Sequence, residues 1–258
     1  MSQTTTSAPL RLGKLPARPG AVTMKFTTYV KETLLPTPPT EFGHDHGVGH
    51  WKMLGNDTVG DCVIAGGLHE TMLWSHYGSA TAPTDKAAAI ANYSAITGYD
   101  PDDPSTDKGT DVADAASYRR HTGLVDADGA HHRIVAYLAL TPGDVGQHLQ
   151  ALYLFGAVGI GLEFPDSAMT QFHNHQPWDV VPGAKIEGGH YVSAVARRDD
   201  RFVVVTWGRE QPMTDAFFQK YNDESYVYVS SEYLKDGHDP EGFDLAQLQA
   251  DLAKLRAV

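Results

Sequence analysis

The sequence predicts an α+β fold in which a helical lobe packs against a twisted antiparallel β-sheet lobe. Helical apolar spacing dominates the first half, β-rich runs dominate the second, and no internal repeat is visible. With 258 residues, 41% of them hydrophobic and including 12 Tyr, 9 Phe and 4 Trp, the chain carries enough apolar area for a sizeable core.

Residues 1–50 read as an extended proline-rich arm, because Pro9, Pro16, Pro19, Pro36, Pro38 and Pro39 interrupt a sparsely apolar background. The domain that follows, 51–258, divides into a helical lobe over about 51–150, a sheet lobe over about 151–235 and a C-terminal helix over 243–256. From Cys62 to about Tyr77, the residues Ile64, Leu68, Met72 and Leu73 recur at helical spacing, which predicts a helix whose first turn holds the cysteine. A second helix is expected over Thr84 to Thr97, stopped by Gly98, and a third over Thr110 to His121, stopped near Gly123. Between them, Tyr99 to Lys108, with Pro101, Pro104 and several aspartates, reads as a solvated loop. Further on come a helix over Pro142 to Leu154, a buried strand over Ala157 to Phe164 and a short helix over Asp166 to Phe172. Tyr191 to Ala196 and Phe202 to Trp207 are expected as adjacent antiparallel strands, Ser225 to Ser230 as a third, and Phe243 to Leu255 as an amphipathic closing helix.

Charge and cysteine usage exclude several functions. A net charge of −12 repels phosphate backbones and anionic lipid, and the basic pair Arg197-Arg198 is followed at once by Asp199-Asp200. Neither nucleic acid nor membrane is therefore an expected partner. The single Cys62 excludes an intramolecular disulfide. The amino terminus lacks an apolar signal core, and the longest apolar stretch, Ala151 to Leu162, is too short to span a bilayer, so a cytoplasmic protein is expected.

Chemistry concentrates at the cysteine. The loop Gly55-Asn56-Asp57-Thr58-Val59-Gly60-Asp61 delivers Cys62 to a helix N-terminus, where free backbone N–H groups favour the thiolate. Asp61 works against this by charge, unless it spends that charge capping the helix. A thiolate that attacks an acyl carbon needs an imidazole partner and donors for the oxyanion. His190, in Glu187-Gly188-Gly189-His190-Tyr191 directly before an apolar strand, supplies the first, and Asn56 offers a side-chain amide for the second.

These residues and their order resemble the papain-like cysteine peptidase superfamily. Asn56-x5-Cys62 is similar to its Gln-x5-Cys segment, Gly189-His190 to the histidine that begins a second-lobe strand, and Thr206-Trp207-Gly208 to the end of its Asn-Ser-Trp-Gly run. His190 follows Cys62 at about the interval that family shows, roughly 130 residues. The resemblance spans about residues 50–230 and implies a papain-like fold, with Cys62 as nucleophile, His190 as base and then acid, and Asn56 as oxyanion donor. It implies hydrolysis of a peptide or related amide bond with no cofactor, and a Trp207 indole that shields the histidine. Two positions depart from the pattern. Asn56 is one methylene shorter than glutamine, and Val205 stands where the imidazole-orienting asparagine is expected, leaving Thr206, Asp179 or Glu187 to hold the ring. These departures motivate an alternative, a weakly active or inactive papain-like protein used for binding or assembly. The arm is further expected to lie over the cleft as an inhibitory segment.

Other motifs yield no site. His44-Asp45-His46 with His50 offers metal ligands without a rigid frame, so no metal is assigned. The run Asp100 to Asp111 lacks the spaced ligands of an EF-hand. Gly156-x2-Gly159-x-Gly161 leads into a strand instead of a helix, and no phosphate loop or Gly-x-Ser-x-Gly elbow occurs.

Overall fold

The predicted first helix, α1 (Cys62–Tyr77), begins at the cysteine, and every residue from Cys62 to Ser75 is buried. A helix buried on every side belongs inside a protein, and here a sheet covers one side of it. The computed structural model describes residues 10–30, 34–78, 81–233, 246 and 249–250. Within these, Asp85 caps α2 (Lys86–Thr97) and Asp111 caps α3 (Val112–His121), each carboxylate accepting from an N–H in the first turn. Three further helices follow, α4 (Val145–Phe155), α5 (Asp166–His173) and α6 (Asp215–Tyr221).

The short strand β1 (Phe42–Gly43) and the small hairpin of β2 (Leu124–Val125) and β3 (His131–His132) precede the main strands. These are β4 (Ile134–Ala139), β5 (Val158–Pro165), β6 (Ile186–Arg198), β7 (Arg201–Thr206), β8 (Arg209–Thr214) and β9 (Asn222–Ser230). They form an antiparallel seven-stranded sheet in the order β4-β9-β5-β6-β7-β8, with β1 added on β6. Residues alternate between the two faces, as a strand requires. On β7, Phe202 and Val204 join the core shared with α4 and α6, while Val203 and Val205 join the core shared with α1, α2 and α3.

The strands expected over Tyr191 to Ala196 and Phe202 to Trp207 are β6 and β7, antiparallel as predicted. Strands β1 to β4, strand β8 and helix α6 have no counterpart in the sequence reading. Ile134 to Ala139 is apolar throughout and shows no alternation in sequence, although alternate residues are more deeply buried. The closing helix expected over Phe243 to Leu255 lies outside the described residues except at Ala246, Gln249 and Ala250, where the backbone is helical. The loop from Tyr99 to Lys108 is less solvated than expected, since it contains a 3-10 turn at Pro104–Thr106 and Asp107 reaches inward. No described helix is long and apolar enough to cross a membrane.

A buried polar cluster holds the two elements that carry the chemistry. Glu70 of α1 accepts hydrogen bonds from Arg119 (2.7 Å), the Tyr191 hydroxyl (2.8 Å) and Ser193 (2.9 Å), and so ties α1 and α3 to β6. The ion pair is fully enclosed, with Arg119 Nη1 on Glu70 and the guanidinium 4.1 Å from the centre of the Tyr228 ring, and such pairing is what makes a buried charge tolerable. Gly66 lets α1 come this close, because a Cβ there would sit 2.5 Å from the Tyr191 ring.

Candidate functional site

Cys62 stands at the first position of α1 and is 1% exposed. The loop before it is braced from below by Asp107, which accepts from the Gly60 amide (3.0 Å) and from the Tyr93 hydroxyl (2.6 Å). Asp61 does not cap the helix by its side chain, and both of its carboxylate oxygens lack a hydrogen-bond partner among the described residues. Burial therefore drives its carboxyl well above the usual range, toward the neutral acid. Burial also pushes the Cys62 thiol up to about 12, and the neighbouring Asp61 adds to this. Backbone groups of Tyr191 and Gly13 and the Lys14 ammonium favour the thiolate but do not prevail.

His190 lies on β6 opposite Leu162 of β5 and is completely buried. Its Nε2 is 2.7 Å from the Thr206 hydroxyl. Trp207 stacks on the ring, with centroids 4.3 Å apart and planes inclined by 17°, and Phe164 meets it edge-on at 5.2 Å. Trp207 itself adopts a left-handed conformation (φ 46°) just past the end of β7. This apolar box holds the imidazole neutral, with its pKa pushed down to about 3. Nδ1 makes no hydrogen bond to any described residue, so the ring and the sulfur are not hydrogen-bonded to each other. The Tyr191 backbone, which favours the Cys62 thiolate, directly follows His190 in the chain.

Strand alternation identifies the group that orients the imidazole. Val205 points into the core beside α1, away from the ring, whereas Thr206 is on the opposite face of β7 and reaches Nε2. Of the other two candidates, Asp179 accepts from Thr214 (3.0 Å) and Glu187 is exposed.

The third predicted residue, Asn56, is 2% exposed. Its Nδ2 donates to the Val59 carbonyl (3.1 Å) and to the Arg11 carbonyl (3.3 Å). Arg11 belongs to the arm, and the arm runs directly across the site. The Asn56 carbonyl accepts from Arg11 N (3.1 Å), and the Trp207 indole donates to the Arg11 carbonyl (3.2 Å). Gly189, next to the histidine, accepts from Gly13 N (3.2 Å) and Lys14 N (3.0 Å). On the other side Thr110 donates to the Gly13 carbonyl (2.7 Å) and accepts from Leu15 N (3.0 Å). Lys14 is thus paired antiparallel with Gly189 and parallel with Thr110, and residues 11–15 form an extended strap between the two lobes.

The three residues expected from the sequence therefore lie in one buried region around the start of α1, under a strap made by the same chain. The sequence reading missed Asp107, Gly13 and Lys14. The first lies in a run that reads in sequence as a solvated loop, and the arm has no periodicity to mark which of its residues make contact. Among the described residues no group of three or more His, Cys, Asp or Glu could hold a metal ion.

No known family profile matches this sequence, and no curated protein matches it. Its structure does have counterparts. Xylellain, a cysteine protease from Xylella fastidiosa, superposes with a TM-score of 0.67 at 12% identity, covering 89% of this chain and 99% of that one. The procathepsin B S9 of Trypanosoma congolense gives 0.61 at 10% identity, covering 87% and 88% respectively. A Carica candamarcensis cysteine protease solved with E-64 gives 0.54 at 11% identity, covering 74% of this chain and 99% of that one. Helices on both faces of an antiparallel sheet, Cys62 opening α1 and these matches together establish that the chain has the papain-like cysteine protease fold.

Proposed function

We propose that this chain is a thiol-dependent hydrolase of peptide or related amide bonds, closed in the present state by its own residues 11–15. The observation that carries the reading is the strap itself. Five consecutive residues lie extended beside Cys62 and His190, paired by backbone hydrogen bonds to Gly189 and Thr110, so the cleft binds polypeptide through main-chain groups that any peptide offers.

With the strap lifted, water reaches the sulfur and the desolvation that holds the thiol and imidazole neutral is relieved. His190 takes the thiol proton through Nδ1 while Thr206 steadies Nε2. Cys62 Sγ attacks the carbonyl carbon, and the C=O electron pair moves onto oxygen, where Asn56 Nδ2 and the Cys62 backbone N–H receive it. The imidazolium then protonates the leaving amine as the C–N bond breaks, and water attacks the thioester to release the acid and restore the thiol. No step calls for a cofactor.

The second reading, a non-catalytic papain-like binding module, is favoured by the neutral thiol, the neutral imidazole and the absence of a hydrogen bond between them. Incubating a denatured protein mixture with the wild type, Gly13→Ala and the double variant Gly13→Ala/Cys62→Ala separates the two. New chain ends detected by mass spectrometry with Gly13→Ala, and lost in the double variant, are expected. Their absence in all three supports the binding module.

A further inference from the structure

We infer that the side pocket now filled by Lys14 is a specificity pocket that takes the lysine or arginine side chain of an extended peptide. This rests on the hydrolase reading above and names the substrate class of that site. Lys14 is the strap residue paired with both Gly189 and Thr110, and its side chain is completely enclosed. Its Nζ lies 2.7 Å from Asp223 Oδ2, 3.0 Å from Glu224 Oε1 and 2.9 Å from the Leu15 carbonyl.

The two carboxylates of the pocket come from β9 and its wall from β5, while the strap adds the Leu15 carbonyl. The Tyr226 hydroxyl donates to Glu224 Oε2 (2.9 Å) and leaves Oε1 for the ammonium. Gly161 forms the wall, since a Cβ there would meet Lys14 Cε at 2.4 Å and Glu224 Cγ at 2.8 Å. Asp223 Oδ1 is buried and has no partner among the described residues. Beyond the two carboxylates opens a cavity of about 320 Å³, bordered by Arg18, Pro19, Leu140 and Tyr226, which gives a side chain longer than lysine somewhere to go.

Removing Lys14 leaves two carboxylates in an enclosed slot, and burial already raises the Glu224 carboxyl above its ordinary range. Such a slot disfavours an apolar side chain, which leaves the carboxylates unpaired, and repels an acidic one. A cation with N–H donors satisfies it. The backbone contacts at Gly189 and Thr110 carry no side-chain information, so discrimination falls to this pocket.

The test uses the full chain carrying Gly13→Ala and the probes acetyl-Xaa-Gly-chloromethyl ketone, with Xaa as Lys, Arg, norleucine or Glu. Alkylation of Cys62 is followed by intact mass. Lys and Arg probes are expected to label roughly tenfold to a hundredfold faster than norleucine, the range of a charge-assisted hydrogen bond, with Glu slowest. Adding Asp223→Asn and Glu224→Gln should erase the preference. Equal rates for all four probes overturn the pocket assignment and leave the hydrolase reading standing. Failure of every probe, while free iodoacetamide labels Cys62, overturns both. A readout independent of the thiol is the thermal midpoint of Lys14→Ala. It should rise with n-butylammonium and stay fixed with n-butanol, and equal or absent shifts overturn the cation pocket.

Discussion

Replacing Gly13 by alanine should open the site without touching any group proposed for the chemistry. The added Cβ would lie 1.8 Å from the Gly60 carbonyl oxygen and 2.2 Å from its carbon. Both atoms are backbone, and the Gly60 amide is held by Asp107, so the strap must give way. Overpacking of this kind costs about 1–3 kcal/mol, which corresponds to a gain of about 5- to 150-fold in the open population. In the closed state the thiol is 1% exposed and its pKa is pushed up to about 12, so alkylation at pH 8 must proceed through the open state. The iodoacetamide labelling rate of Cys62, followed by intact mass at pH 8, should therefore rise by at least about fivefold. A rate within twofold of wild type, in a variant whose circular dichroism shows it folded, would refute the idea that the strap covers the sulfur.

Further predictions concern the imidazole, the buried pair and pH. In the Gly13→Ala background, Thr206→Val should reduce peptide hydrolysis about tenfold or more while Thr206→Ser retains most of it, because a buried Nε2 without its partner loses orientation and costs about 1–3 kcal/mol. Val205→Asn should not improve hydrolysis and should lower stability in urea by about 1–3 kcal/mol, since that side chain faces the apolar core beside α1. Glu70→Ala should destabilise by about 3–5 kcal/mol in the same assay, because Arg119 would be left buried without its carboxylate. His69 and His148, with pKa values pushed down to about 4, and His190, at about 3, are all neutral in the folded chain. Their contribution to stability is complete above the unfolded value near 6.5 and is lost as pH falls toward 3 to 4. At pH 5 each ring has given up about 2 kcal/mol. The raised Asp61 and Glu224 carboxyls oppose this trend. His148→Asn should flatten the dependence of urea stability on pH between 5 and 6.5, by about half a proton at the upper end and nearly one at the lower.

Much of the fold was legible because helix and strand periods are local. Apolar spacing after Cys62 located α1, and the short β-rich runs around the charged turn located β6 and β7. Strand β4 escaped because apolar residues on both of its faces hide the alternation. Cys62, His190 and Asn56 could be proposed from residue type and spacing, which are readable along the chain. Their orienting partner could not be settled that way. Counting back from Trp207 led to Val205, whereas the face of β7 on which a side chain emerges is set by strand pairing and selects Thr206. Asp107 and Lys14 depend on contacts between segments far apart in sequence, with Lys14 and Asp223 separated by 209 positions. Such pairings exist only in the folded chain.

On the proposed hydrolase reading, Cys62 and His190 act as one acid–base unit once the strap is displaced. The direct measurement is the pH dependence of iodoacetamide labelling of Cys62 in Gly13→Ala, compared with Gly13→Ala/His190→Ala. Substantial labelling at pH 6, well below the ordinary thiol value near 8.5, and its loss in the double variant are expected. A single midpoint at or above that ordinary value, the same with and without the imidazole, would contradict that reading.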